Sequence, residues 1–316
     1  MRICTTSEAR WNFWSSSANE WECPETVESS NGVKNMLEIK GLNKSFGKKA
    51  VLENFTYTFE SGVYGLLGPN GSGKTTLMRC ITKLYPIKRG TVFYNGRCIV
   101  GDGEYLTHVG YLPQKFGLFK DLKVREMMEL MANLKKVERS RVKPMIEECI
   151  EVVNLSDRLK SRVGTLSGGM IRRLGIAQAL LGKPEIVIFD EPTAGLDPEE
   201  RLRFKNIVSE IRRDRTVIIS THIVEDVEAV CDTIVIMRDR NIAASGSCSQ
   251  IRETARGKVY LVPEKEKDSI TGECLVQKQF ERDGEIMLKI LTNVPQKYEP
   301  AAPDVEDGYI CALKDI

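Results

Sequence analysis

The sequence has almost no excess charge: 46 lysines and arginines face 44 acidic residues, a formal net charge of +2. So balanced a chain has no bulk attraction to nucleic acid or anionic lipid, which disfavours basic-tail binders. Long hydrophobic runs are missing too. The longest, such as Ile186 to Phe189, are about strand length, too short to span a bilayer. The nine cysteines include no CxxC pair and are odd in number, which suits free thiols in a reducing compartment better than a zinc site or a disulfide framework. There is no internal repeat, heptad run or long low-complexity tract, which excludes solenoids and coiled-coil ATPases. What remains is 316 residues of globular composition, 41% hydrophobic and 28% charged, enough for one large or two ordinary domains.

Residues 1–35 stand apart, rich in serine and holding all three tryptophans, Trp11, Trp14 and Trp21. No basic stretch precedes an apolar one there, so they are not a secretory signal. They read as a mobile leader, with translation starting at Met36 or an aromatic membrane-interface anchor as alternatives. From Met36, MLEIKGL and LENFTYTF alternate at period two, and TVFYNGRCIV carries an Asn95-Gly96 hairpin turn, so this part is an antiparallel β lobe. The continuous apolar runs VYGLLG, VGYL, EIVIFD, TVIIS and TIVIM predict parallel strands buried on both faces. The first is followed by a helical pattern through Leu77, Ile81 and Leu84, which indicates an α/β core. A helical lobe is inserted at about 115–182, with helices over roughly Val124 to Lys136 and Ser140 to Asn154. After Gly246, KVYLVP, ECLVQKQF, GEIMLKIL and YICALKDI predict a small β-rich extension over 246–316.

Three segments carry chemistry. VYGLL runs into GPNGSGKTT and then a helix, the setting of a phosphate-binding P-loop. Gly68, Gly71 and Gly73 let backbone N–H groups curl around phosphate at a positive helix end, Lys74 reaches the terminal phosphates, and the Thr75 hydroxyl can ligate Mg²⁺. In EIVIFDEP a buried strand delivers Asp190 and Glu191 to its C-terminal end, where the first can hold Mg²⁺ and the second can take a proton from an attacking water. Alone, such a pair reads as a solvated turn; its value comes from following a P-loop. In TLSGGMIRR, Ser167 is a ready N-cap, two glycines permit close approach, and Ile171, Leu174, Ala177 and Leu181 form an apolar helix face.

With these three in order, the chain resembles the nucleotide-binding subunits of ABC transporters from about Met36 to Gly246. The resemblance implies a P-loop NTPase fold, an ATPase domain over 36–245, and ATP and Mg²⁺ as cofactors. It makes Gly68, Pro69, Asn70, Gly71, Ser72, Gly73, Lys74, Thr75 and Thr76 the Walker A segment and Gln114 the Q-loop residue. Ser167, Gly168 and Gly169 become the signature, Asp190 the Walker B acid, Glu191 the catalytic base, Asp197 the D-loop acid and His222 the switch histidine. Thr75, Gln114 and Asp190 are then the Mg²⁺ residues, while Glu191, His222, Lys74 and Gln114 act in catalysis. Phe46 resembles the aromatic that stacks on adenine, or else is an ordinary strand-edge phenylalanine. His108, the only other histidine, reads as structural. One departure is Met170, where the family's signature usually ends in glutamine. The stretches YLPQKFGLFKDLKVRE and STHIVEDVEAVCD look most like ATPase subunits of bacterial multidrug and antibiotic-peptide exporters.

The resemblance further implies hydrolysis of ATP at head-to-tail dimer sites, with a second ATPase subunit, a separate multi-span membrane permease and no nucleic acid as partners. The location it implies is cytoplasmic, peripheral on the inner face of the membrane. The alternatives are a soluble ABC-type ATPase of translation, repair or iron-sulfur assembly, and a non-catalytic nucleotide-sensing scaffold. Phe116 to Phe119 read as an apolar docking surface for the permease, or as side chains packed under the helical lobe.

Overall fold

The computed structural model describes residues 35–316. The tryptophan-rich leader therefore lies outside the described residues, except for Asn35. An antiparallel pair, β1 (Leu37–Phe46) and β2 (Lys49–Phe59), leads into β3 (Gly62–Leu67) and helix α1 (Lys74–Ile81). After the short β4 (Val92–Tyr94) and β5 (Arg97–Cys98), β6 (Val109–Leu112) precedes three helices, α2 (Val124–Leu134), α3 (Arg139–Val152) and α4 (Gly168–Leu180). Then come β7 (Ile186–Asp190), α5 (Pro198–Ile211), β8 (Thr216–Thr221), α6 (Val224–Glu228), β9 (Thr233–Arg238) and β10 (Asn241–Gly246). The last part holds α7 (Cys248–Glu253), β11 (Val259–Pro263), β12 (Leu275–Arg282), β13 (Glu285–Leu291) and α8 (Val305–Lys314).

The strands form three sheets, in the orders β2-β1-β4-β5, β10-β9-β3-β8-β7-β6 and β11-β13-β12. The central sheet is parallel except for β10, which runs antiparallel to β9 at the edge. Its inner strands are largely apolar because both faces are covered. Val187 and Phe189 of β7 join the core shared with the helical lobe, whereas Ile188 joins the core shared with the antiparallel sheet. Val217 and Ile219 of β8 divide from Ile218 in the same way, as the two-residue period of a strand requires. The turn between β4 and β5 has positive φ at both Asn95 and Gly96, 47° and 76°, which suits these two residue types.

Two expectations are corrected. Helix α1 stops at Ile81, Lys83 takes a positive φ of 57°, and Leu84 is exposed beyond the helix rather than on its apolar face. YICALKDI is not a strand but most of α8. Asp304 accepts from the Asp307 N–H while the Asp307 side chain accepts from the Asp304 N–H, a reciprocal cap that starts a helix. Lys289 of β13 bridges both carboxylates at 2.6 and 2.8 Å. Helix α8 then serves two cores, with Val305 buried in the main one, Tyr309 and Leu313 packed against it, and Cys311 in the smaller core of the extension. Ile251 of α7 also belongs to the main core, so apolar packing is continuous across Gly246.

Candidate active site

Because β8 lies between β3 and β7, the segments that follow these three strands open at one sheet edge. The loop after β3 ends at Gly73, the N-cap of α1. This cap has no side-chain acceptor and no acid follows in the first turn, so the positive helix end stays uncompensated. Gly73 takes φ 108°, and a Cβ there would lie 2.9 Å from the Val51 carbonyl oxygen, so no side chain fits. Lys74 curls back over the loop and donates to the carbonyls of Gly68 at 2.6 Å and Pro69 at 3.2 Å. Burial lowers its pKa, and the charges of Glu191 and Asp190 oppose that shift.

Around this lysine the chain forms a cavity of about 200 Å³. Asn70, Gly71, Gly73, Lys74, Thr75 and Thr76 line it together with Gln114 and Glu191, and Lys49 and Val51 of β2 close one side. The buried Asp190 accepts hydroxyls from Thr75 at 3.2 Å and Ser220 at 2.8 Å on one carboxylate oxygen. Its other oxygen is buried with no partner, as is the Ser72 hydroxyl. A hydroxyl beside a carboxylate oxygen that meets no donor, next to a ring of backbone amides, fits a hard divalent cation bound with phosphate. Glu191 takes φ 48°, unusual for a side-chain-bearing residue, while its N–H donates to the Ser220 carbonyl at 3.1 Å and hydroxyl at 2.9 Å. Its carboxylate, 8% exposed, lies 3.0 Å from Nδ1 of His222, which is 52% exposed. The pair is thus a buried carboxylate beside a solvent-facing imidazole, an arrangement able to take a proton from water.

The remaining candidates lie away from the cavity. Ser167 caps α4 by accepting from the Met170 N–H at 3.2 Å, and Asp197 caps α5 by accepting from the Glu200 N–H at 2.9 Å. Both caps are exposed. The helix starts are locked together because Arg173 of α4 pairs with Glu200 of α5 at 3.1 Å, both largely buried. The two signature glycines differ: a Cβ on Gly168 meets nothing within 4 Å, whereas one on Gly169 would lie 2.7 Å from Glu200 Cδ. The departure at Met170 keeps the capping amide, and its side chain packs against the main core. Phe46 sits outside the cavity lining but pairs in register with Lys49, which lines it. Its ring is 45% exposed and meets Tyr85 edge-on at 5.1 Å. His108 pairs with Glu185 at 3.1 Å and is absent from the cavity lining.

Phe116 packs under the helical lobe, so close to α4 that a Cβ on Gly175 would lie 2.6 Å from its ring. Phe119 is 60% exposed. The reading of side chains packed under the helical lobe thus holds at Phe116. Motif reading passed over Ser220, whose one hydroxyl contacts both the Asp190 carboxylate and the Glu191 amide, and Arg172, which donates to four carbonyls around the site. Ser220 was accessible as the polar end of an otherwise apolar strand; nothing local marks Arg172 from its neighbour.

Among the described residues, no helix is long and apolar enough to cross a membrane. Residues 52–194 match the family described as ABC transporter. The chain is 34% identical over 272 residues to an uncharacterized ABC transporter ATP-binding protein, YdbJ, of Bacillus subtilis, covering 83% of this chain and 85% of that one. It is 33% identical over 223 residues to the linearmycin resistance ATP-binding protein LnrL of B. subtilis, covering 68% and 72%. A Nod factor export ATP-binding protein I of Rhizobium sp. is 35% identical over 220 residues, covering 67% and 70%. A solved structure of an ATP-binding subunit of an ABC transporter superposes with a TM-score of 0.62 at 28% identity, covering 69% of this chain and 92% of that one.

Proposed function

The chain belongs to the ABC transporter ATP-binding family, an ATPase family that powers transport, and from that premise we propose that it drives an exporter by ATP-dependent closure of a head-to-tail dimer. Export is supported by the resistance and export roles named for two of its relatives. The observation that carries catalysis is the Glu191 carboxylate, buried and 3.0 Å from the His222 ring at the mouth of the P-loop cavity.

In this reading the ATPase unit covers 36–245 and the accessory unit 246–316. Phe46 stacks on adenine, and the Gly68 to Thr76 loop cradles the phosphates. Thr75, Gln114 and Asp190 would hold Mg²⁺, which when bound would supply positive charge against the phosphoryl oxygens. Lys74 leaves its loop carbonyls to neutralise the terminal phosphates. Glu191 takes a proton from the attacking water, and His222 orients the Glu191 side chain and the water. Ser167, Gly168 and Asp197 are exposed and outside their own chain's cavity, as residues that complete a neighbour's site would be. The mate is a second ATPase subunit, and a separate permease receives the motion at the exposed Phe119 on the inner face of the membrane.

The test is Glu191→Gln, which keeps shape but cannot take a proton. ATP binding is expected to persist while turnover falls by about 10²- to 10⁴-fold. With ATP, sedimentation of this variant should reveal a dimer that Ser167→Arg abolishes. Turnover within twofold of wild type removes Glu191 from the base role, and a dimer that survives Ser167→Arg defeats the shared-site reading.

A further inference from the structure

Arg172 stands two residues beyond the LSGGM segment, and its side chain leaves α4 for the turn that carries the two acids. Its Nε donates to the Pro192 carbonyl at 2.9 Å, one Nη to the Gln114 carbonyl at 3.0 Å, and the other Nη to the carbonyls of Asp190, at 3.2 Å, and Glu191. The Phe116 ring backs the guanidinium, with Cζ 5.6 Å from its centroid. Most of the donors of a planar fork are thereby committed to backbone oxygens on two separate segments. No point-like ammonium can span that set.

Glu191 is held at both ends. Its disfavoured φ of 48° persists only where the surroundings fix it. Ser220, on the central sheet, holds its N–H. Arg172, on the helical lobe, holds its carbonyl and, through a second nitrogen, the Gln114 carbonyl. Ser167 and Gly168 lie at the start of the same helix, only about one and a half turns away. We propose that Arg172 is a positioning residue that makes the posture of the Glu191 carboxylate depend on where α4 stands, so that engagement of the signature is felt at the base. A displacement of α4 relative to the sheet pulls on the Glu191 and Gln114 carbonyls together. This inference rests on Glu191 acting as the base.

The experiment measures phosphate release and ATP affinity of the full chain carrying Arg172→Met, Arg172→Lys, Glu191→Gln, or Arg172→Met with Glu191→Gln. The methionine keeps the apolar stem and loses every donor. ATP affinity within about twofold of wild type and a kcat lower by about 10- to 100-fold are expected, the loss typical of a group misplaced by an ångström. The lysine should remain slow although its charge is kept. The double variant should turn over no more slowly than Glu191→Gln alone, because Arg172 acts through that carboxylate. A purely structural arginine would instead lower the melting temperature and leave kcat of the folded protein within twofold, or slow the Glu191→Gln background by a further tenfold. Either result overturns the proposal. Should Arg172→Met not fold, wild-type kcat in Arg172→Lys overturns it equally. If Glu191→Gln keeps full turnover, the base reading fails first and this inference falls with it; if Glu191→Gln is dead and Arg172→Met is not, only this inference is lost.

Discussion

Alanine at Gly168 and at Gly169, one at a time, should separate folding from function within a single motif. At Gly169 the new Cβ would lie 2.7 to 2.9 Å from the Cδ, Cγ and Oε2 atoms of Glu200. Glu200 cannot swing away freely, because it is 15% exposed and bound to Arg173, itself 7% exposed and further tied to the Val153 and Asn154 carbonyls. Overpacking of this kind costs about 1–3 kcal/mol. Complete loss of the Arg173 partner would cost about 3–5 kcal/mol. Alanine returns at most about 1 kcal/mol in helix propensity. With the pair kept, the balance is a loss of about 0–2 kcal/mol for Gly169→Ala, and it grows as the pair with Arg173 is broken. Gly168→Ala meets no neighbour and should be as stable as wild type or slightly more so, while on the proposed shared-site reading its methyl group lowers turnover. Urea unfolding followed by circular dichroism measures the first quantity, and phosphate release the second. Equal stability losses in the two variants, or a destabilised Gly168→Ala, would refute the division of labour.

Lys135 offers a test of burial. Its amine donates to the carbonyls of Ala179 and Leu181 at 3.1 and 2.7 Å, and desolvation lowers its pKa to about 8. The unfolded chain keeps that proton up to an ordinary lysine pKa of about 10.4, so unfolding takes up a proton between the two values. Stability relative to Lys135→Met should therefore rise as pH climbs from about 8 to about 10, by at most roughly 3 kcal/mol. A pH-independent difference in urea midpoints would contradict it. Ending the chain at Gly246 strips Ile251 and Val305 from the main core. At about 1.5–3 kcal/mol for each buried side chain, a clearly lower urea midpoint is expected, with ATP still bound by the folded fraction, since every phosphate-directed residue precedes the cut. An unchanged midpoint would mean that the core closes without α7 and α8.

Strands buried on both faces were the most legible part of the fold, because β7 and β8 have no polar face to blur the pattern. The bend of the loop after β3 was legible for a related reason, since at Gly68 and Gly73 positive φ and neighbouring backbone leave no room for a Cβ. The last helix was misread because YICALKDI taken alone alternates like a strand; its Asp304 and Asp307 cap lies just upstream, and it outweighs β propensity. Leu84 fits a helical spacing that the backbone abandons at Lys83. Arg172 could not be told from Arg173 by composition: one reaches carbonyls of the turn that carries Asp190 and Glu191 and the other a buried carboxylate, a difference of direction that only the tertiary packing supplies.

The Lys289 bridge has a mechanical meaning. It fastens the first turn of α8 to the accessory sheet, α8 lies against α6, and α6 begins two residues after His222. The accessory sheet, α8, α6 and the histidine are therefore parts in series. Where that series couples them, a molecule that favours one posture of the sheet changes the free energy of the histidine's postures as well. Reciprocity then obliges nucleotide at the P-loop to change the affinity for that molecule by the same factor.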